Sequence, residues 1–126
     1  MIRTMLKSKI HKARVNGLCL DYEGSITIDS NLMAEADLLP YEQIEVLNFN
    51  TGTRFNTYVI EGKAGGKEIC LNGPAARLAK LGDNIIILSY CQLTDKEVSY
   101  FQPKLLYLDK NNEIEQIRHY IDTLPS

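Results

Sequence analysis

Short runs of extended character, divided by turn-forming residues, constrain this fold more than any other feature of the chain. Met5 to Val15 mixes apolar and basic residues as an edge-like strand does, and Ser25 to Ile28 alternates with Ile26 and Ile28 on one face. Ile44 to Phe49 and Arg54 to Ile60 flank Asn50-Thr51-Gly52, which predicts a hairpin turn. Glu68 to Leu71 follows a turn marked by Gly62, Gly65 and Gly66. Asn84 to Tyr90 is strongly apolar, as a buried strand is, and Lys104 to Leu108 follows Pro103 as a further strand. Helices are few. Ser30 predicts a cap for a short one over Asn31 to Ala36, stopped before Pro40. A second is predicted from Asn72 to about Lys80, ended by Gly82. A third is predicted over Glu113 to Ile121, with Ile114, Ile117 and Ile121 at helical spacing for packing or an interface. The pattern predicts one mostly β domain, a small barrel.

With 126 residues the chain can bury a core without metal or disulfide help. The net charge is −2 and no Lys/Arg run forms a basic stripe, which disfavours nucleic acid. No apolar run approaches the roughly 20 residues that span a membrane. The N-terminus lacks a signal peptide's apolar region, so a cytoplasmic location is expected. Cys19, Cys70 and Cys91 fit neither a disulfide framework nor a zinc pattern and read as small apolar core residues. His11 and His119 are the only histidines, and no metal site is expected.

Four groups can carry chemistry. Gly24-Ser25 places a hydroxyl beside an unhindered carbonyl, so a strained or polarised bond there can be attacked by Ser25 Oγ, although Gly-Ser is also an ordinary turn dipeptide. On an ideal strand Arg54, Asn56 and Tyr58 share one face, while Phe55 and Thr57 point the other way. A planar guanidinium suits carboxylate capture, and a phenol suits proton donation. Asn72-Gly73-Pro74-Ala75-Ala76 reads as a capped helix start whose free N–H groups can meet an anion. Lys9 and His11 share a face of the first strand, as solvated edge residues or as charges near a site.

The order and spacing of these groups resemble those of the bacterial L-aspartate 1-decarboxylases, which depend on a pyruvoyl group. The residues carrying the likeness are Met1 to Leu6, Lys9-Ile10-His11, Tyr22-Glu23-Gly24-Ser25, Gly52 to Tyr58, Asn72 to Ala76 and Gly82-Asp83. The likeness runs to about Leu108, and the tail 109–126 carries no recognisable motif.

The resemblance implies a six-stranded double-psi β-barrel with a few short helices, assembled as a homotetramer with sites between subunits. It implies self-cleavage at Gly24-Ser25 into chains 1–24 and 25–126, either spontaneous or assisted by a maturation factor. Ser25 would become the pyruvoyl group that forms a Schiff base with L-aspartate. No pyridoxal phosphate and no metal would be needed. The α-carboxylate would leave as CO₂, giving β-alanine for pantothenate and coenzyme A. By family position Tyr58 would return the proton, and Arg54 would bind a substrate carboxylate. Thr57 would contact substrate and polarise the Gly24 carbonyl, with a bulge or a subunit interface bringing it round. Gly73, Pro74 and Ala75 would line the substrate, with Asn72, Lys9 and His11 in support. Position 74 is often alanine in the family, and the proline here removes one backbone donor. The alternative from another class is a non-catalytic β-barrel binding or assembly module, which would leave Gly24-Ser25 uncut.

Overall fold

The computed structural model describes residues 1–122. The final residues of the expected 25–126 chain, 123–126, lie outside the described residues. The strands are β1 (Ile2–Arg14), β2 (Gly17–Cys19), β3 (Ser25–Asp29), β4 (Gln43–Asn48), β5 (Arg54–Gly62), β6 (Ile69–Asn72), β7 (Asn84–Thr94), β8 (Lys104–Leu108) and β9 (Ile114–Arg118). The helices are α1 (Ser30–Ala36), a 3₁₀ helix over Gly73–Leu78 and the single turn α2 (Asp95–Val98).

The fold is mainly β with few short helices, as the punctuated sequence predicts. The described residues form nine strands, hydrogen-bonded in the order β2-β6-β3-β5-β4-β7-β1-β8-β9. Three neighbouring pairs are parallel, β2 with β6, β3 with β5 and β1 with β8, and the other ladders are antiparallel. Strand β1 pairs with β7 on one edge, with irregularities between Leu6 and Ser8 and between Ile10 and Ala13, and with β8 on the other. Beyond its end, Val15 N–H donates to Asp83 O at 2.9 Å and Asn16 N–H to Ile69 O at 3.0 Å. These bonds draw the two halves of the strand order together. Between them lies one core, with Ile10, Ile26, Ile28, Ile44, Val59, Ile69, Leu71, Ile85, Ile87 and Leu106 all buried. The β-branched residues dominate because their stiff side chains suit a pleated, buried surface.

Three local expectations are corrected. Helix α1 is capped by Asp29 rather than Ser30, because the Asp29 carboxylate accepts from Asn31 N–H at 2.8 Å. The segment after Asn72 is a short 3₁₀ helix without a side-chain cap bond from Asn72. The Asn72 amide is engaged elsewhere, as described below. The predicted helix over Glu113 to Ile121 is strand β9, paired antiparallel with β8. Asp109 builds the connecting turn by accepting from Asn111 N–H at 2.8 Å and Glu113 N–H at 3.0 Å. A short helix is marginal in water, whereas the open edge of β8 satisfies the backbone at once. The helical spacing misleads, since Ile117 and Ile121 are exposed.

Candidate active site

Ser25 opens β3 and lies directly opposite Asn72, the last residue of β6. Both are buried. The Ser25 hydroxyl donates to Glu23 O at 2.8 Å and accepts from Asn72 Nδ2 at 2.9 Å. The second amide hydrogen of Asn72 reaches Thr27 Oγ1, also at 2.9 Å. Behind it the Cys70 thiol donates to Asn72 Oδ1 at 3.3 Å. Thr27 lies opposite Cys70 in the same ladder, so four polar side chains share one face of two paired strands. In the sequence Asn72 reads as a helix cap in support of the site, Cys70 reads as a small apolar core residue, and Thr27 does not stand out. The available signal was the pleat: Ser25 and Thr27 are two apart, as are Cys70 and Asn72.

Gly73 follows with φ +64°, a left-handed conformation that disfavours other residues. A Cβ there would meet Tyr22 O at 2.8 Å and Gly24 N and Cα at 2.9 Å. Glycine at 73 thus lets the β6 end lie against the backbone of residues 22–24. Above this junction a cleft of about 570 Å³ is lined by Gly24, Phe55, Thr57, Tyr58, Pro74 and Ala75, among others. It has room for a small metabolite and is walled mainly by apolar groups, with two hydroxyls in reach.

Thr57 and Tyr58 therefore meet in one cleft with Gly24. No bulge brings Thr57 round, because the β4–β5 ladder is regular from Arg54 to Tyr58. Phe55, Asn56, Thr57 and Tyr58 all line the cleft, so it takes residues from both faces of β5. Arg54 does not line it. Its guanidinium is exposed and paired with Glu45 across the ladder, Nη1 to Oε1 at 2.7 Å, and the same carboxylate accepts from Tyr90 OH at 3.2 Å. Asn56, between them in sequence, lines both the cleft and the neighbouring hollow that holds Glu45 and Tyr90.

Lys9 and His11 stand apart from the cleft. The His11 ring lies 5.3 Å from that of Tyr107 and 5.4 Å from that of Phe49, and Lys9 Nζ is 5.9 Å from the Tyr107 ring centre. Burial, then the charges of Lys9 and Lys12, push the His11 imidazole below its ordinary pKa and favour its neutral form. Burial also lowers the pKa of Lys9. Within one chain these residues form a separate aromatic and cationic cluster.

A buried serine at a strand start, an amide donor on its oxygen and a cleft lined by the preceding glycine lie together here. The family model described as aspartate decarboxylase matches residues 1–115. The chain belongs to the aspartate decarboxylase family. An aspartate 1-decarboxylase of Dehalococcoides mccartyi (strain CBDB1) is 56% identical over 115 residues, covering 91% of this chain and 93% of the relative. One from Thermoanaerobacter pseudethanolicus is 54% identical over 113 residues, covering 90% and 97%. One from Clostridium acetobutylicum is 53% identical over 116 residues, covering 92% and 91%. The likeness to this family extends through the β8–β9 turn and into β9, further along the chain than its recognisable motifs.

Proposed function

We propose that this member of the aspartate decarboxylase family removes the α-carboxylate of L-aspartate as CO₂ to give β-alanine, after cutting itself between Gly24 and Ser25. The observation that carries the reading is the buried Ser25–Asn72 hydrogen bond next in sequence to Gly24, which itself lines a cleft with Thr57 and Tyr58.

In the cutting step Ser25 Oγ attacks the Gly24 carbonyl carbon. The new C–O bond replaces the C–N bond, and the hydroxyl proton passes to the Ser25 nitrogen. Loss of the Ser25 α-proton then expels the Gly24 carboxylate. The dehydroalanine left behind takes up water and releases ammonia, leaving a pyruvoyl group at position 25. A donor on Oγ favours its anionic form, which is what Asn72 Nδ2 offers. The Ser25 hydroxyl must first turn away from Glu23 O. Thr57 lies at the same cleft as Gly24, where its hydroxyl can polarise the carbonyl.

The site fits the group. Ser25 is enclosed by its own strand pair, and the missing side chain at Gly73 leaves the preceding peptide room. A pyruvoyl group there supplies the electron sink for the negative charge left as CO₂ departs. The chain's residues do the rest. Tyr58 delivers a proton to the α-carbon. Gly73, Pro74 and Ala75 shape the wall, and proline at 74 contributes contact without a donor. Arg54 lies outside this chain's own cleft, so it binds the side-chain carboxylate of substrate held by a neighbouring subunit, exchanging its Glu45 partner for it. Lys9 and His11 act across a subunit boundary in a homotetramer, with Asn72 supporting the cut. The product would feed pantothenate and coenzyme A synthesis in the cytoplasm, and a maturation factor could speed the cut.

Incubating purified protein with L-aspartate and following the products by proton NMR tests this reading. β-Alanine should accumulate with wild-type protein and not with Ser25→Ala. Equal accumulation with both would reject it.

A further inference from the structure

We infer that Cys70 is a positioning residue for self-cleavage: its thiol holds the Asn72 amide in the one orientation that presents a donor to Ser25. The inference rests on the proposed cut at Gly24-Ser25. The Asn72 side chain has two ends, and either could face Ser25. The Ser25 hydroxyl, while it donates to Glu23 O, favours the amide's NH2 end, but it can turn and donate instead, and the Thr27 hydroxyl likewise both donates and accepts. A thiol is a weak donor and a weak acceptor, so what it adds is a bias toward the amide end it already faces. Cys70 Sγ lies 3.3 Å from Asn72 Oδ1, which places the amide oxygen on the thiol side and sends both amide hydrogens to Ser25 and Thr27.

A flipped amide would offer its oxygen to Ser25 instead. It would take the hydroxyl proton that now goes to Glu23 O and leave Oγ without a donor. An oxygen that must become anionic would then be less acidic. The thiol is held where it can act. A Cβ at Gly17, its neighbour in the β2–β6 ladder, would meet Cys70 Sγ at 2.9 Å. Glycine at 17 thus gives the sulfur its place beside Asn72. Burial raises the Cys70 pKa first, then the Glu68 charge, so the group remains a thiol with its proton to donate.

The test is the first-order rate of cutting, read by denaturing gel or mass as uncut precursor is warmed. Four proteins are compared: wild type, Cys70→Ser, Cys70→Ala and Cys70→Val. Serine keeps a donor, while valine fills the space without one. Wild type and Cys70→Ser should cut at similar rates. Cys70→Ala and Cys70→Val should each be slower by about twofold to fivefold, the lower end of what one neutral hydrogen bond is worth because a thiol is a weak donor. Cys70→Val cutting at the wild-type rate, or Cys70→Ser as slow as Cys70→Ala, would overturn the inference and leave the proposed function standing. Wild-type protein that never cuts would overturn the proposed function and this inference with it.

Discussion

Strand β3 carries a buried polar residue at each end, and the two are satisfied in opposite ways. Asp29 accepts from three backbone N–H groups: Asn31 at 2.8 Å, Gly65 at 3.1 Å and Lys67 at 2.7 Å. Every one of those donors is fixed by the main chain, so the carboxylate caps α1 and pins the 62–67 loop. Ser25 is held instead by a side-chain amide and by a carbonyl two residues back, both replaceable by rotating a few bonds. Backbone donors make a polar residue structural. Side-chain partners leave one able to react.

The largest effect expected from breaking this contrast is at the reactive end. Ser25→Ala should abolish cutting and β-alanine formation together while costing no more than about 1–3 kcal/mol of stability, since it leaves one buried Asn72 amide hydrogen without its acceptor. A large loss of stability would make Ser25 structural after all. Tyr58→Phe sharpens the claim, because Tyr58 shares the cleft but not the Ser25 hydrogen bonds. Cutting should proceed largely intact, while kcat falls by about 10²–10⁴, the usual worth of a positioned proton donor. Normal turnover would remove Tyr58 from that role.

At the structural end, Asp29→Ala should cost about 2–4 kcal/mol in chemical denaturation, since it removes a cap and leaves buried N–H groups bare. The same residue sets a pH dependence. Burial pushes its carboxyl up, but hydrogen bonds from Asn31, Lys67 and Gly65 and the Lys67 charge outweigh burial and hold the folded-state pKa below the ordinary value. A lowered pKa contributes stability that is present above the unfolded-state value near 3.9 and is lost as pH falls through the folded one. Wild type should therefore lose more stability on acidification below about pH 4 than Asp29→Ala does. The smallest effect belongs to the exposed pair on the neighbouring ladder. Glu45→Gln should change stability by less than about 1 kcal/mol, because a solvated Arg54 loses little with its partner.

Much of the fold was legible because strand pleat and turn residues are local signals. The Asn50-Thr51-Gly52 turn joins β4 and β5 as its residues predict, with Gly52 N–H donating to Asn48 O at 2.8 Å. The end of the chain was not legible, because Ile114 and Ile117 fit helical spacing and only the open edge of β8 decides for a strand. Gly24, Thr57, Tyr58, Pro74 and Ala75 stand out in the sequence and meet in one cleft. Arg54, Lys9 and His11 stand out with them and lie elsewhere on the single chain. Asn72 reads from sequence as a helix cap, yet its amide partners Ser25 and Thr27 are 47 and 45 residues away, and only the β3–β6 register brings them opposite.

The central claim is that Ser25 is a precursor whose hydroxyl is consumed. The most direct measurement is the denatured mass of purified protein before and after prolonged warming. The account predicts two chains, residues 1–24 and 25–126, the larger ending in a ketone that reacts with a hydrazide. A single intact chain of unchanged mass, with no reaction toward the hydrazide, would contradict it.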